Sequence, residues 1–204
     1  MQKVLGIDVS KEKHDIVLVI DGKKYHKEIN NDAKGFGYLK RWLKSHRASH
    51  VHACLEATGQ YGEAIAEYLY ERGHLVSVVN PARIKRYGES KLHRNKTDKA
   101  DANLIAEFCL KEKPTSWKPL SPEIKHLRAL HRRLEALKAN LHQEENRKKS
   151  GEKDESVLKD IDLHVDFLKE RIEVINDDIH ALIKKTPELK SKHDLLTSIP
   201  GIGH

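Results

Sequence analysis

The hydrophobic period of this chain changes once, and the change divides it into two parts that cannot share one layer of packing. Before the cluster of Pro114, Pro119 and Pro122, apolar residues come in short runs; after it they recur every three and four positions. Short runs between turn signals are strands, whereas three–four spacing is one stripe of a helix. Leu127, Leu130, Leu134, Leu137 and Leu141 form one such stripe. Leu158, Ile161, Val165, Leu168, Ile172, Ile175, Ile179 and Leu182 form a second, the a/d seam of a coiled coil. Between them, Ser150-Gly151 sits among charges, which predicts an antiparallel coiled-coil hairpin over residues 123–187. No second sheet or bundle remains to cover the seam, so the hairpin is expected to protrude and to recruit another subunit, giving a homo-oligomer.

The first part reads as α/β. Residues 4–9 and 15–20 are apolar runs, Asp21-Gly22 is a hairpin signal, and residues 24–29 supply a third strand. Phe36, Leu39, Trp42 and Leu43 mark a helix over residues 33–45. Residues 50–55 then read as a strand, 61–72 as a helix and 75–79 as a strand. Three hairpin-joined strands followed by alternating helix and strand give a mixed sheet flanked by helices. From residue 83 to 99 the pattern breaks into a basic segment, and Thr97 is placed to cap a helix running from Asp98 to about Leu110. The expected domains are therefore 1–112 and 123–187, joined by a linker over 113–122.

Aromatic residues make up 5% of the chain and Met occurs once, so the core must be built from Leu, Ile, Val and Ala. No run reaches the ~18 apolar residues of a membrane span, and Met-Gln-Lys-Val opens no signal peptide. Lys and Arg number 38 against 31 Asp and Glu, a net charge of +7 that favours a polyanionic partner. Cys54 and Cys109 fit no metal or disulfide pattern, which points to the reducing cytoplasm.

Four carboxylates stand out by position. Asp8 closes the first strand, Glu56 follows the strand before it, and Asp98 and Asp101 lie three apart at one helix start, on one face. Strand ends and a helix start meeting at one sheet edge are where α/β folds put their sites. Clustered carboxylates repel, and hard divalent cations such as Mg²⁺ or Mn²⁺ remove that cost. Two such ions ~4 Å apart can stabilise both oxygens of an in-line phosphodiester displacement.

Four ordered blocks then carry a resemblance: Gly6-Ile7-Asp8-Val9-Ser10-Lys11, Glu56-Ala57-Thr58-Gly59-Gln60-Tyr61, Val79-Asn80-Pro81 and Lys96-Thr97-Asp98-Lys99-Ala100-Asp101-Ala102. Together they resemble the DEDD transposases of insertion-sequence family 110, which include the Piv-type DNA invertases, and the likeness extends over the whole chain. The resemblance implies an RNase H-like (RuvC-like) domain with Asp8, Glu56, Asp98 and Asp101 as catalytic metal ligands. It further implies cutting and rejoining of DNA strands, in some members guided by a bridge RNA. The Ile199-Pro200-Gly201-Ile202-Gly203 stretch resembles the opening of that family's C-terminal helix-hairpin-helix domain, which supplies a catalytic serine. On this reading residues 188–204 begin a domain that is cut short. The fragment is then expected to bind Mg²⁺ and nucleic acid without completing recombination.

Arg83, Lys85, Arg86, Lys91, Arg94, Lys96 and Lys99 lie beside the acid pair and are the candidate contacts to DNA or guide-RNA phosphates. His50 and His52 alternate on a strand without a third ligand at zinc spacing, and Ser10 has no base beside it. Three other classes account for less of the chain. A stand-alone RuvC-like junction resolvase does not need the coiled coil, and an actin-like ATPase needs a second Gly-rich phosphate loop that this sequence lacks. A non-catalytic module that dimerises through its hairpin and holds RNA stays open for the fragment by itself, its carboxylates then being inert without the missing domain.

Overall fold

A computed structural model describes residues 3–57, 59–90 and 98–199, with Asp98 and Lys99 described by their backbone alone. The chain divides into two compact units, Met1–Pro119 and Leu120–His204.

The first unit is the expected α/β fold. Its elements are β1 (Lys3–Val9), β2 (Lys13–Ile20), β3 (Lys23–Asn30), α1 (Ala33–Ser45), β4 (His52–Glu56), α2 (Glu63–Tyr70), β5 (Leu75–Val79), α3 (Pro81–Ser90) and α4 (Asp98–Glu112). The sheet order is β3-β2-β1-β4-β5. The first three strands pair antiparallel, and β4 joins β1, and β5 joins β4, in parallel. This is the RNase H-like arrangement. The β2–β3 turn follows from Asp21-Gly22, with φ of 49° and 79°, the positive values a tight hairpin turn demands. Asp32 starts α1 by accepting the Gly35 N–H at 2.6 Å.

Side-chain alternation gives the sheet two apolar faces. Leu5, Ile7, Ile16, Leu18 and Leu55 pack with Leu39 and Leu43 of α1 and Ile65 and Leu69 of α2. The other face presents Val4, Val17, Val19 and Cys54 to Ile84 and Tyr87 of α3 and to Ala102, Ile105, Ala106 and Cys109 of α4. On that face Gly6 is pressed by α4. A Cβ there would fall 2.2 Å from the Ala102 carbonyl oxygen and 2.5 Å from the Ala106 nitrogen.

Two segments differ from the sequence reading. Residues 81–90 form a helix where only a basic break was expected. Pro81 suits a first helical position, Asn80 Oδ1 accepts the Ala82 N–H at 2.9 Å, and Ile84, Tyr87 and Gly88 form a short buried stripe that the surrounding charges obscured. The segment expected as a linker lies in part along β5. Trp117 donates its N–H to the Val76 carbonyl at 2.7 Å and packs on the core.

The second unit comprises α5 (Pro122–Lys149), α6 (Glu155–Lys185) and α7 (Pro187–Thr197). Ser121 and Asp154 cap α5 and α6 through the N–H groups of Ile124 and Ser156, at 3.4 and 2.9 Å. The helices α5 and α6 run antiparallel, joined across their faces by Lys148–Asp162 and by His164 Nδ1 on Glu144 at 3.2 Å. The seam expected to be exposed is instead used between these two helices. Leu134, Leu137, Leu168 and Ile175 are buried there, with Leu130, Leu141, Ile172 and Ile179 packed around them. The apolar groups that α6 does expose are others, chiefly Leu163 and Phe167. Among the described residues no helix is long and apolar enough to cross a membrane.

Candidate functional site

Strand register brings the first two candidate acids together. In the parallel β1–β4 pair the last partners are Ile7 and Leu55, so the next residues, Asp8 and Glu56, stand side by side on neighbouring strands. Strands are spaced by about 4.8 Å. Gly6 and Cys54 face α4, and residues two further on share their face. Asp8 and Glu56 therefore stand on the α4 side, at the edge where β1, β4 and β5 end, and both are half-buried.

The row continues outward. Asp8 is paired across β1–β2 with Asp15, and Asp15 across β2–β3 with Glu28. Four carboxylates thus cross four strands in the order Glu28, Asp15, Asp8, Glu56. Glu28 and Asp15 each have a basic partner on the neighbouring strand: Lys13 Nζ lies 2.6 Å from Glu28, and His26 Nε2 lies 2.6 Å from Asp15, which is only 7% exposed. Sequence reasoning missed Asp15, reading it as the plain start of a strand. The signal was present in the short β1–β2 connection, which sets the residue opposite Asp8.

The helix α4 brings the other pair. Asp101 immediately precedes Ala102, the residue against Gly6, and is half-buried. Asp98 is the first residue of α4, one turn earlier, and its side chain lies outside the described residues. Among the described residues no three His, Cys, Asp or Glu side chains group as a metal cage. The donor chemistry of the four acids is nevertheless uniform, all carboxylate oxygen, the kind hard divalent ions take.

Of the basic candidates, Arg83, Lys85 and Arg86 lie on α3, which starts directly after β5. The Arg83 guanidinium sits 5.5 Å from the centroid of the Phe108 ring on α4. The Cys54 thiol beneath the site is pushed up by its hydrogen bond with Cys109 and by burial; Glu56 adds to this and Arg83 opposes it. Lys91, Arg94 and Lys96 lie outside the described residues, and of Lys99 the backbone alone is described.

On the opposite face from the acids, His14 is fully buried, and among the described residues neither ring nitrogen has a partner at good hydrogen-bond geometry, Asn31 being the nearby polar side chain. Burial holds its ring below the usual histidine range. It stacks on Phe36 with the ring planes 7° apart.

The sheet thus bears adjacent strand-end carboxylates and is crossed by an acid-bearing helix. The chain matches the DEDD transposase family of insertion-sequence family 110 over residues 5–150, and it belongs to that family. Among individual proteins it is 34% identical, over 201 residues, to the pilin gene-inverting protein of Moraxella bovis and equally to that of Moraxella lacunata. Each match covers 98% of this chain, which spans 62% of the length of these relatives. Among solved structures, T. thermophilus RuvC in complex with a Holliday junction substrate is similar over 57% of this chain and 99% of its own, at 14% identity and a TM-score of 0.42. YeaZ from Pseudomonas aeruginosa is similar over 44% and 51%, at 12% identity and a TM-score of 0.33.

Proposed function

We propose that this chain is the acid-bearing part of a DNA recombinase that cuts and rejoins strands, with Asp8, Glu56, Asp98 and Asp101 holding divalent metal. The observation that carries this reading is the pairing of Asp8 with Glu56 under α4. Two strand acids and two helix acids, far apart in the chain, belong to elements that meet at one sheet edge. Asp8, Glu56, Asp98 and Asp101 would hold magnesium, or manganese in its place, and the ion would offset the repulsion of the carboxylates and supply Lewis-acid polarisation of a phosphate oxygen. Arg83, Lys85 and Arg86 on α3, with Lys91, Arg94, Lys96 and Lys99 after them, hold the phosphates of the strand being cut or of a guide RNA. A bridge RNA is the proposed source of target choice, and the exposed Leu163 and Phe167 of α6 are the proposed contacts to a second copy of the chain in a coiled-coil assembly.

The test is Mn²⁺ titration of the 204-residue chain followed by electron paramagnetic resonance, compared with Asp8→Asn, Glu56→Gln and Asp101→Asn. Each variant is expected to weaken binding by about tenfold or more, the scale of losing a ligand or its support. Wild-type affinity in Asp8→Asn and Glu56→Gln overturns the metal assignment. In parallel, Arg83→Gln/Lys85→Gln/Arg86→Gln is expected to flatten the salt dependence of duplex DNA binding, and an unchanged slope removes α3 from the DNA surface.

A further inference from the structure

The sheet edge opposite the acids carries a second charged feature. An open cleft of about 520 Å³ is lined by Lys40, Leu43, Lys44, Arg47, Ala48, Ser49, Arg72 and His74. It lies where α1 and α2 end and where β4 and β5 begin, so the length of β4 separates it from Glu56. Five strand residues at about 3.3 Å each put that separation at about 16 Å. The lining holds four permanent cations and no carboxylate.

The plain explanation is that cations collect at helix C-termini to offset the backbone dipole. Two helix ends supply roughly −0.5 charge each. Arg72 is also paired with Glu71 at 3.8 Å, and the other three cations exceed the dipoles by about two charges, so the dipoles account for only part of the set.

The cleft is also held in shape before any ligand arrives. The Arg72 guanidinium lies 3.5 Å from the Tyr68 ring centroid, and its Nη1 donates to the Tyr68 carbonyl at 3.0 Å. Arg47 takes a left-handed turn with φ of 53°, closed by the Ala48 N–H on the Leu43 carbonyl at 2.9 Å. The Arg47 carbonyl accepts from the Lys3 ammonium, which pins this corner to the start of β1. His74 Nδ1 accepts the Val51 N–H at 3.3 Å, leaving Nε2–H as a neutral donor. Burial, helped by His50 and Arg72, holds that ring below the usual histidine range. Among the described residues Lys40, Lys44 and Arg47 have no acidic partner, whereas Lys13, Lys24 and Lys148 elsewhere are paired.

We infer that this cleft is a second nucleic-acid site that grips sugar–phosphate backbone through Lys40, Lys44, Arg47 and Arg72. Its separation from Glu56 means that it holds a different stretch of nucleic acid from the one at the acids. The assignment of the ligand rests on the recombinase reading, and DNA and RNA share the chemistry it recognises.

The test measures binding of the 204-residue chain to a DNA duplex of about 20 base pairs and to an RNA of about 20 nucleotides, by fluorescence anisotropy across a salt series. The variant is Lys40→Gln/Lys44→Gln/Arg47→Gln, which removes three of the lining cations. Each phosphate left without its cation lowers the slope of log affinity against log salt by about 0.7–0.9, so the variant is expected to shed about 2–3 in slope. The charge-keeping Lys40→Arg/Lys44→Arg/Arg47→Lys is expected to retain the wild-type slope, as is Lys153→Gln/Lys159→Gln/Lys169→Gln on the second unit. A decrease confined to the duplex or to the RNA identifies the ligand, and a decrease with both makes the cleft a general backbone site. An unchanged slope with both probes, or an equal decrease in the second-unit control, overturns the inference while leaving the recombinase reading intact. If the wild-type chain binds neither probe, both fall.

Discussion

The two faces of the sheet are built from different materials. The face under α1 and α2 is filled by large residues, with Leu5, Ile16, Leu18, Leu39, Leu55, Ile65 and Leu69 at most 1% exposed. The face under α4 uses small ones along the line of contact, Gly6 and Cys54 on the strands against Ala102, Ala106 and Cys109. Large residues hold a helix off a sheet, whereas small ones let backbones touch. The first face packs more apolar bulk, and the second gives a close approach of α4 to β1 at Gly6.

Substitutions can separate those two roles. Leu39→Ala empties a fully buried position on the α1 face and is expected to cost about 2–5 kcal/mol in denaturant unfolding. Its remaining folded protein should keep Mn²⁺ affinity within about twofold, since distant sites act independently. Gly6→Ala is expected to cost about 3 kcal/mol, because the new methyl meets the backbone of α4 and side-chain adjustment cannot relieve it. Unlike Leu39→Ala, it should also weaken Mn²⁺ binding in the folded protein, as α4 is displaced from β1. If Gly6→Ala destabilised the chain yet bound Mn²⁺ normally, the close approach would have no part in the site.

The smallest effect concerns pH and the buried imidazole in the large-residue face. His14 stays neutral in the fold more readily than in the unfolded chain. As pH falls through the ordinary histidine value of about 6.5, the unfolded state takes up the proton first. The stability contribution is therefore complete above that value and is lost as the solution becomes more acidic. Thermal unfolding followed between about pH 7.5 and pH 5 should show a weaker pH dependence for His14→Leu than for wild type. Parallel curves for the two proteins would remove His14 from the account.

Much of this arrangement was legible residue by residue. Runs of Val and Ile marked β1, β2 and β5, Asp21-Gly22 marked the turn between β2 and β3, and the heptads marked α5 and α6. Asp8 and Glu56 were visible because each closes such a run. What escaped notice had weak local signals. The helix α3 hides a short apolar stripe among cations, and Asp15 gains its position from pairing with Asp8 rather than from its neighbours in sequence. The fate of the heptad seam was equally unreadable, since a stripe shows that it must be covered and not by what.

Sequence alone determined most of the elements, their periods and the carboxylates at their ends, because each depends on residues within a turn or two; the one cap it named, Thr97, lies outside the described residues. Tertiary structure decided which elements lie side by side. The parallel addition of β4 beside β1 set Glu56 next to Asp8, and the missing side chain at Gly6 let α4 settle where it does. Likewise, the helix ends that gather Lys40, Arg47 and Arg72 around one cleft are neighbours only after folding. Those outcomes rest on hydrogen bonding and steric fit between segments distant along the chain, and no local pattern encodes such pairings.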